Sequence, residues 1–155
     1  MTIDFPQFYI LLPQETFTRV EKGRNPLVPS YYPSRAVGTG TGGVYITFDV
    51  ETAHAETKDR GLINPVLYKI QCLKEIQVLD MAQYCLKNGF RPEDYYAGEQ
   101  SLDKQIHSFY GQKVPAMSWP SNQKPKGTSA VLLVDNIPDF KNCFQVIEIK
   151  EGEGG

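Results

Sequence analysis

The residues with chemical potential are two neighbouring carboxylates, two histidines, a glycine cluster and a set of tyrosines. Glu51 and Glu56 stand five residues apart in DVETAHAET. On a helix that spacing turns them about 140° apart. They do not share a face, and the paired-carboxylate chemistry of glycosidases is not supported by this pair. His54 and His107 lie far apart in sequence, without the HExxH spacing of a zinc enzyme, and no GxSxG elbow accompanies the serines. Metal-dependent and serine-triad hydrolysis are therefore set aside. GTGTGG at 38–43 invites a phosphate-loop reading. It precedes a strand, however, whereas a dinucleotide fingerprint follows one and opens a helix, and it lacks the GK[ST] of a P-loop. A flexible loop is the plainer reading; the alternative is a close backbone approach to a ligand, which glycine permits for want of a Cβ. Tyr31, Tyr32, Tyr45, Tyr95, Tyr96 and Trp119 flank loops or strand ends. Most such aromatics pack. One on a strand beside a glycine loop can also stack a planar base or a nicotinamide ring.

The elements that must carry these residues can be read from pattern. Residues 8–12 form a short apolar run closed by Pro13, and 21–43 is a Gly-, Pro- and Ser-rich loop long enough to act as a substrate lid. Val44 to Phe48 reads as a strand, and Asp49 as the N-cap of a short helix VETAHAET, with Glu51 suiting its first turn. Val66 to Leu73 and Glu75 to Leu79 read as strands separated by a bend. Asp80 caps a helix, MAQYCLKN, that ends at Asn88-Gly89. Residues 100–110 are helical, with Leu102, Ile106 and Phe109 on one face. Ala116 to Trp119, Val131 to Val134 and Phe144 to Ile149 are strands, the last with imperfect alternation, and the tail EGEGG is frayed. Strands and helices mix without regular βαβ alternation, so the class is α+β with a mostly antiparallel sheet.

Composition narrows the functions available. A chain of 155 residues fits one domain, 1–155, with its core at about 17–150. Its net charge of −2 and scattered basic residues argue against a dedicated nucleic-acid binder. The three cysteines, Cys72, Cys85 and Cys143, form no CxxC pair and read as buried reduced thiols of a cytosolic protein. No apolar stretch approaches the roughly 20 residues that span a bilayer. The start MTIDFPQFYILLP carries Asp4 and no basic n-region, so it does not read as a signal peptide.

Four pieces fall in a telling order: FTRV with Arg19; GGVYITFDVETAHAE, where Glu56 follows Tyr45 by eleven residues; the strands VLYKI and EIQVLDM; and SWPSNQKPKGTSAVLL with Ser121 in a polar turn. This order resembles the RES domain, named for its Arg, Glu and Ser. Residues 42–56 are similar to the family's central motif, a Gly-Gly turn, an apolar-Tyr strand and a helix reading roughly ETAxAE. The resemblance covers about residues 17–135. Two positions depart from it. Val20 stands where the family carries an aromatic, and Val44 follows the Gly-Gly pair directly where the family carries Arg-Trp. Arg35, ahead of Arg24, is the candidate for the displaced guanidinium.

The resemblance implies an ADP-ribosyltransferase-like fold, a split and curved sheet with a nicotinamide cleft, and a toxin that cleaves NAD at the nicotinamide–ribose bond by hydrolysis or phosphorolysis. It implies Glu56, Arg19 and Tyr45 as catalytic residues and Ser121, Arg35, Gly43 and Trp119 as substrate-binding residues. The glycosidic bond breaks through an oxocarbenium-like state, whose charge the Glu56 carboxylate can stabilise. An arginine can clamp the pyrophosphate, Tyr45 can stack nicotinamide, and Ser121 can bond a carboxamide or phosphate. NAD is the substrate and no metal is needed. A protein antitoxin or immunity protein that blocks the cleft is the expected partner, with neither nucleic acid nor membrane. The expected location is the cytoplasm, of the producing cell or of a target cell if the domain is delivered as a secreted effector. Two alternatives stay open: mono-ADP-ribosylation of a target protein, and a catalytically silent binding domain of the same fold.

Overall fold

A computed structural model describes residues 8–11, 16–21, 27, 42–49, 51–53, 66–91, 100–120 and 128–151. Its strands are β1 (Phe8–Leu11), β2 (Thr16–Glu21), β3 (Gly43–Thr47), β4 (Val66–Cys72), β5 (Ile76–Asp80), β6 (Ala116–Pro120), β7 (Thr128–Leu133) and β8 (Phe144–Glu151). Two helices, α1 (Met81–Lys87) and α2 (Gln100–Gly111), join β5 to β6. The strands form one sheet in the order β1-β5-β6-β7-β3-β2-β4-β8. Among the described pairs only β5–β6 is parallel. The class is α+β with a mostly antiparallel sheet, as the mixed pattern implies.

The sheet is pinched at one place. β2 pairs with β4 along its whole length, from Thr16↔Gln71 to Glu21↔Val66. β3 pairs with β7 along its whole length, from Gly43↔Leu133 to Thr47↔Ser129. Between β2 and β3 the described register has a single pair, Thr18↔Thr47. Five strands thus lie on one side of this junction and three on the other, the split arrangement that the family resemblance implies.

Alternation along each strand sends side chains to opposite faces of the sheet. One face buries Val44, Ile46, Ile70, Ala130, Leu132 and Phe144. The other buries Leu79, Met117, Val131 and Leu133 beneath the helices, which contribute Tyr84, Leu102, Ile106 and Phe109. Both faces of β3 and β7 are covered, which explains their near-continuous apolar runs.

The helix ends follow their local chemistry. The Asp80 carboxylate accepts from the Ala82 and Gln83 N–H groups at 3.0 and 3.2 Å. At the other end Gly89 takes φ +79°, and the Phe90 N–H reaches back to the Cys85 carbonyl at 2.8 Å. This is the left-handed C-terminal cap that Asn-Gly announces. On α2, Leu102, Ile106 and Phe109 are buried as their spacing requires.

Several sequence expectations need correction. Of the loop expected over 21–43, Glu21 belongs to β2 and Gly43 to β3, and most of the rest lies outside the described residues. The strand expected at Val131 to Val134 begins at Thr128 and stops at Leu133; Val134 starts a 3-10 turn that reaches Asn136. Glu151, expected in the frayed tail, pairs with Val66. The imperfect alternation of 144–149 also has a cause. The register against β4 shifts between Lys69↔Glu148 and Ile70↔Val146, so Ile147 is an extra residue of a bulge and lies 44% exposed. Finally, β5-α1-α2-β6 makes one parallel βαβ connection that the pattern did not reveal. Arg91-Pro92-Glu93-Asp94 reads as a turn or helix start, and all of it but Arg91 lies outside the described residues, as does most of the helix expected after Asp49.

Candidate active site

The Gly42-Gly43 pair is the entry to β3. Gly43 is buried and in register with Leu133, and the Gly42 carbonyl accepts from the Val134 N–H at 3.2 Å. The expected substrate-binding glycine is therefore a strand residue. Two residues on, Tyr45 is half-buried at the margin of the helix-covered cluster. Trp119, also half-buried, reaches it from β6 across β7. The two rings meet edge to face with centroids 6.5 Å apart and planes at 73°. Two expected site residues that are 74 positions apart in the chain are thus brought together on one face of the sheet.

A polar row lies beside this aromatic corner. Thr47 and Ser129 are register partners, and Ser129 is in turn the partner of Trp119. Register partners share a face, so both hydroxyl residues lie on the side of Tyr45 and Trp119. They are 7% and 6% exposed. Neither was singled out from the sequence. A serine or threonine in a strand gives no signal until the register shows which neighbours it meets.

Arg19 lies on β2, in register with Tyr68, while its neighbour Thr18 pairs with Thr47. This places the Arg19 backbone beside the junction of the two parts of the sheet. Glu56, Ser121 and Arg35 lie outside the described residues. The segment that leads toward Glu56 in the sequence is described as far as residue 53. After β3 the chain turns at Phe48-Asp49 and enters a helical turn at 51–53. The Asp49 carboxylate accepts from the Thr52 N–H at 2.7 Å, the N-cap that the sequence indicates. Glu51 is exposed in this turn.

Elsewhere the polar chemistry is structural. The Tyr84 hydroxyl bonds to Gln105 between α1 and α2, and burial, with a smaller contribution from Cys85, holds its pKa above the ordinary value. Burial likewise pushes the Cys143 thiol up; nearby Lys74 opposes this and Asp139 adds to it. Cys72, Cys85 and Cys143 are all buried, and no disulfide joins them. Among the described residues no group of three or more His, Cys, Asp or Glu could hold a metal. No described helix is long and apolar enough to cross a membrane.

The chain is similar in fold to a chain in the crystal structure of the M. tuberculosis MbcT–MbcA toxin–antitoxin complex, with a TM-score of 0.71 over 92% of this chain and 86% of that one, at 14% identity. No curated protein matches it. The RES domain matches residues 16–151, a stretch that contains both helices and every described strand from β2 to β8. On that match the chain belongs to the RES domain family.

Proposed function

We propose that this chain is a toxin that destroys NAD by cleaving its nicotinamide–ribose bond. The observation that carries this reading is the Tyr45–Trp119 corner at the junction of a split sheet, in a chain whose residues 16–151 match the RES domain. In an edge-to-face pair each ring keeps a face of its own, and either face could stack a nicotinamide ring. In the proposed reaction the C–N glycosidic bond breaks and nicotinamide leaves with the bonding electrons. The Glu56 carboxylate stabilises the ribosyl cation, and Arg19 or Arg35 holds the pyrophosphate. Ser121 bonds the carboxamide or a phosphate oxygen. Water as acceptor makes the enzyme a glycohydrolase; inorganic phosphate makes it a phosphorylase.

The likeness to a toxin solved with its antitoxin supports a protein inhibitor as partner. We place the activity in the cytoplasm, of the producing cell or of a cell into which the domain is delivered. The test is incubation of purified protein with NAD, with and without phosphate, the products being read by mass. Nicotinamide with ADP-ribose, or with phosphorylated ADP-ribose, is expected. Intact NAD under both conditions overturns the reading, and ADP-ribose found on a lysate protein replaces it with transfer to a side chain.

A further inference from the structure

The turn between Tyr45 and Glu56 is built more tightly than a helix start requires. An N-cap needs only an acceptor for a backbone N–H. Here Asp49 does more. Besides taking the Thr52 N–H, its two carboxylate oxygens each lie 2.8 Å from the Thr52 hydroxyl. Its backbone carbonyl accepts from the Thr47 hydroxyl and from the Ala53 N–H, both at 3.2 Å. Thr52 is 0% exposed. A valine of the same shape would fill that space, so packing alone does not call for a hydroxyl there.

The turn also touches both parts of the split sheet. Through Thr47 and Asp49 it is tied to the end of β3. Through Ala53 it packs against Leu67 of β4, on the far side of the junction where β2 and β3 share one described register pair. Thr52 stands seven residues after Tyr45 and four before Glu56.

We propose that Thr47, Asp49 and Thr52 are positioning residues for the reaction, fixing how the chain leaves β3 in the segment that leads to Glu56. The proposal rests on the reading of Glu56 as the charge-stabilising carboxylate. Misplacing a reacting group by about 1 Å can lower turnover about 100-fold, so the role belongs in kcat rather than in substrate affinity.

The experiment measures kcat, KM for NAD and Tm in the full chain for Thr52→Val, Thr52→Ser, Asp49→Asn and Glu56→Gln. Ile137→Val, in the core on the other face of the sheet, serves as a control for simple destabilisation. Thr52→Val should lose about tenfold or more in kcat with KM within about twofold, and Thr52→Ser, which restores the hydroxyl, should recover most of it. Asn caps helices as well as Asp does, so Asp49→Asn should lose kcat while keeping Tm. If Thr52→Val fails to fold, Asp49→Asn decides alone. The proposal is overturned if Glu56→Gln is inactive while the folded clamp variants keep wild-type kcat, or lose no more than Ile137→Val does. Should Glu56→Gln itself turn over NAD normally, the assignment of Glu56 falls, and the clamp's role with it.

Discussion

On the proposed function, Glu51 and Glu56 are acidic for different reasons. Glu51 sits exposed in the first turn after the Asp49 cap, where a negative charge suits the helix dipole. Its replacement by Gln should lower stability by a few tenths to about 1 kcal/mol and leave NAD turnover nearly intact. Glu56→Gln should melt like the wild type and lose about 100-fold or more in turnover. Side-by-side turnover and melting curves decide, and a dead Glu51→Gln beside an active Glu56→Gln would reverse the assignment. Cys143 allows a second test. Its thiol is buried and its pKa raised, so little thiolate is present near neutral pH. Iodoacetamide at pH 8 should leave Cys143 unmodified in the folded protein and alkylate it in denaturant, as peptide mass would show. At this scale the sequence was legible wherever a residue's role is local. Asp49 announces its cap three residues ahead of Thr52. Thr47 and Ser129 announce nothing, because their placement beside Trp119 depends on three strands meeting in one register.

Helix α1 shows how far local signals carry at the scale of an element. Both of its ends are written in neighbouring residues, Asp80 before it and Asn88-Gly89 after it, and both were readable. Asp80→Ala should lower stability by about 1 kcal/mol, since it leaves the Ala82 and Gln83 N–H groups without their acceptor. Gly89→Ala should lower it by about 1–2 kcal/mol for a different reason. A Cβ at Gly89 would meet nothing within 4 Å, so the loss comes from φ +79° alone. Urea denaturation measures both, and Gly89→Asn, which tolerates the left-handed region, should lose less than Gly89→Ala. Six of the eight described strands were legible in approximate place from their apolar or β-branched runs; Phe8–Leu11 was read only as an apolar run, and β2, whose TFTRVE sequence mixes polar and apolar residues, was not read as a strand. The strands' ends and partners were not legible. The bulge at Ile147 depends on a register shift against β4, and the parallel β5–β6 pair joins strands separated by two helices.

Across the whole molecule, two linkages tie structure to behaviour. The first is to pH. Burial holds the Tyr84 phenol above its ordinary value of about 10. In the unfolded chain this phenol loses its proton first as pH rises. The contribution is therefore fully present below about pH 10 and is lost as pH climbs through the higher folded value. Urea midpoints should fall above pH 10, and less steeply in Tyr84→Phe than in the wild type; equal slopes would remove Tyr84 as a cause. The second linkage is to the host cell. An enzyme that consumes NAD acts on a pool shared by redox and ligation chemistry, so one active molecule harms the cell through turnover rather than through stoichiometric binding. Expression in a bacterium without an inhibitor should stop growth, and cellular NAD should fall before growth does. The order of events matters, because arrest with level NAD points instead to modification of a target protein. Such an enzyme must be held inactive where it is made, so the proposed function carries a proposed protein inhibitor with it. Co-expression with the neighbouring reading frame should restore both growth and NAD. The Glu56→Gln variant should be tolerated without it. If the soluble wild-type protein is tolerated alone at high level with NAD unchanged, toxin and inhibitor are both ruled out, whereas rescue of growth while NAD stays depleted would show that the inhibitor acts elsewhere than on this enzyme.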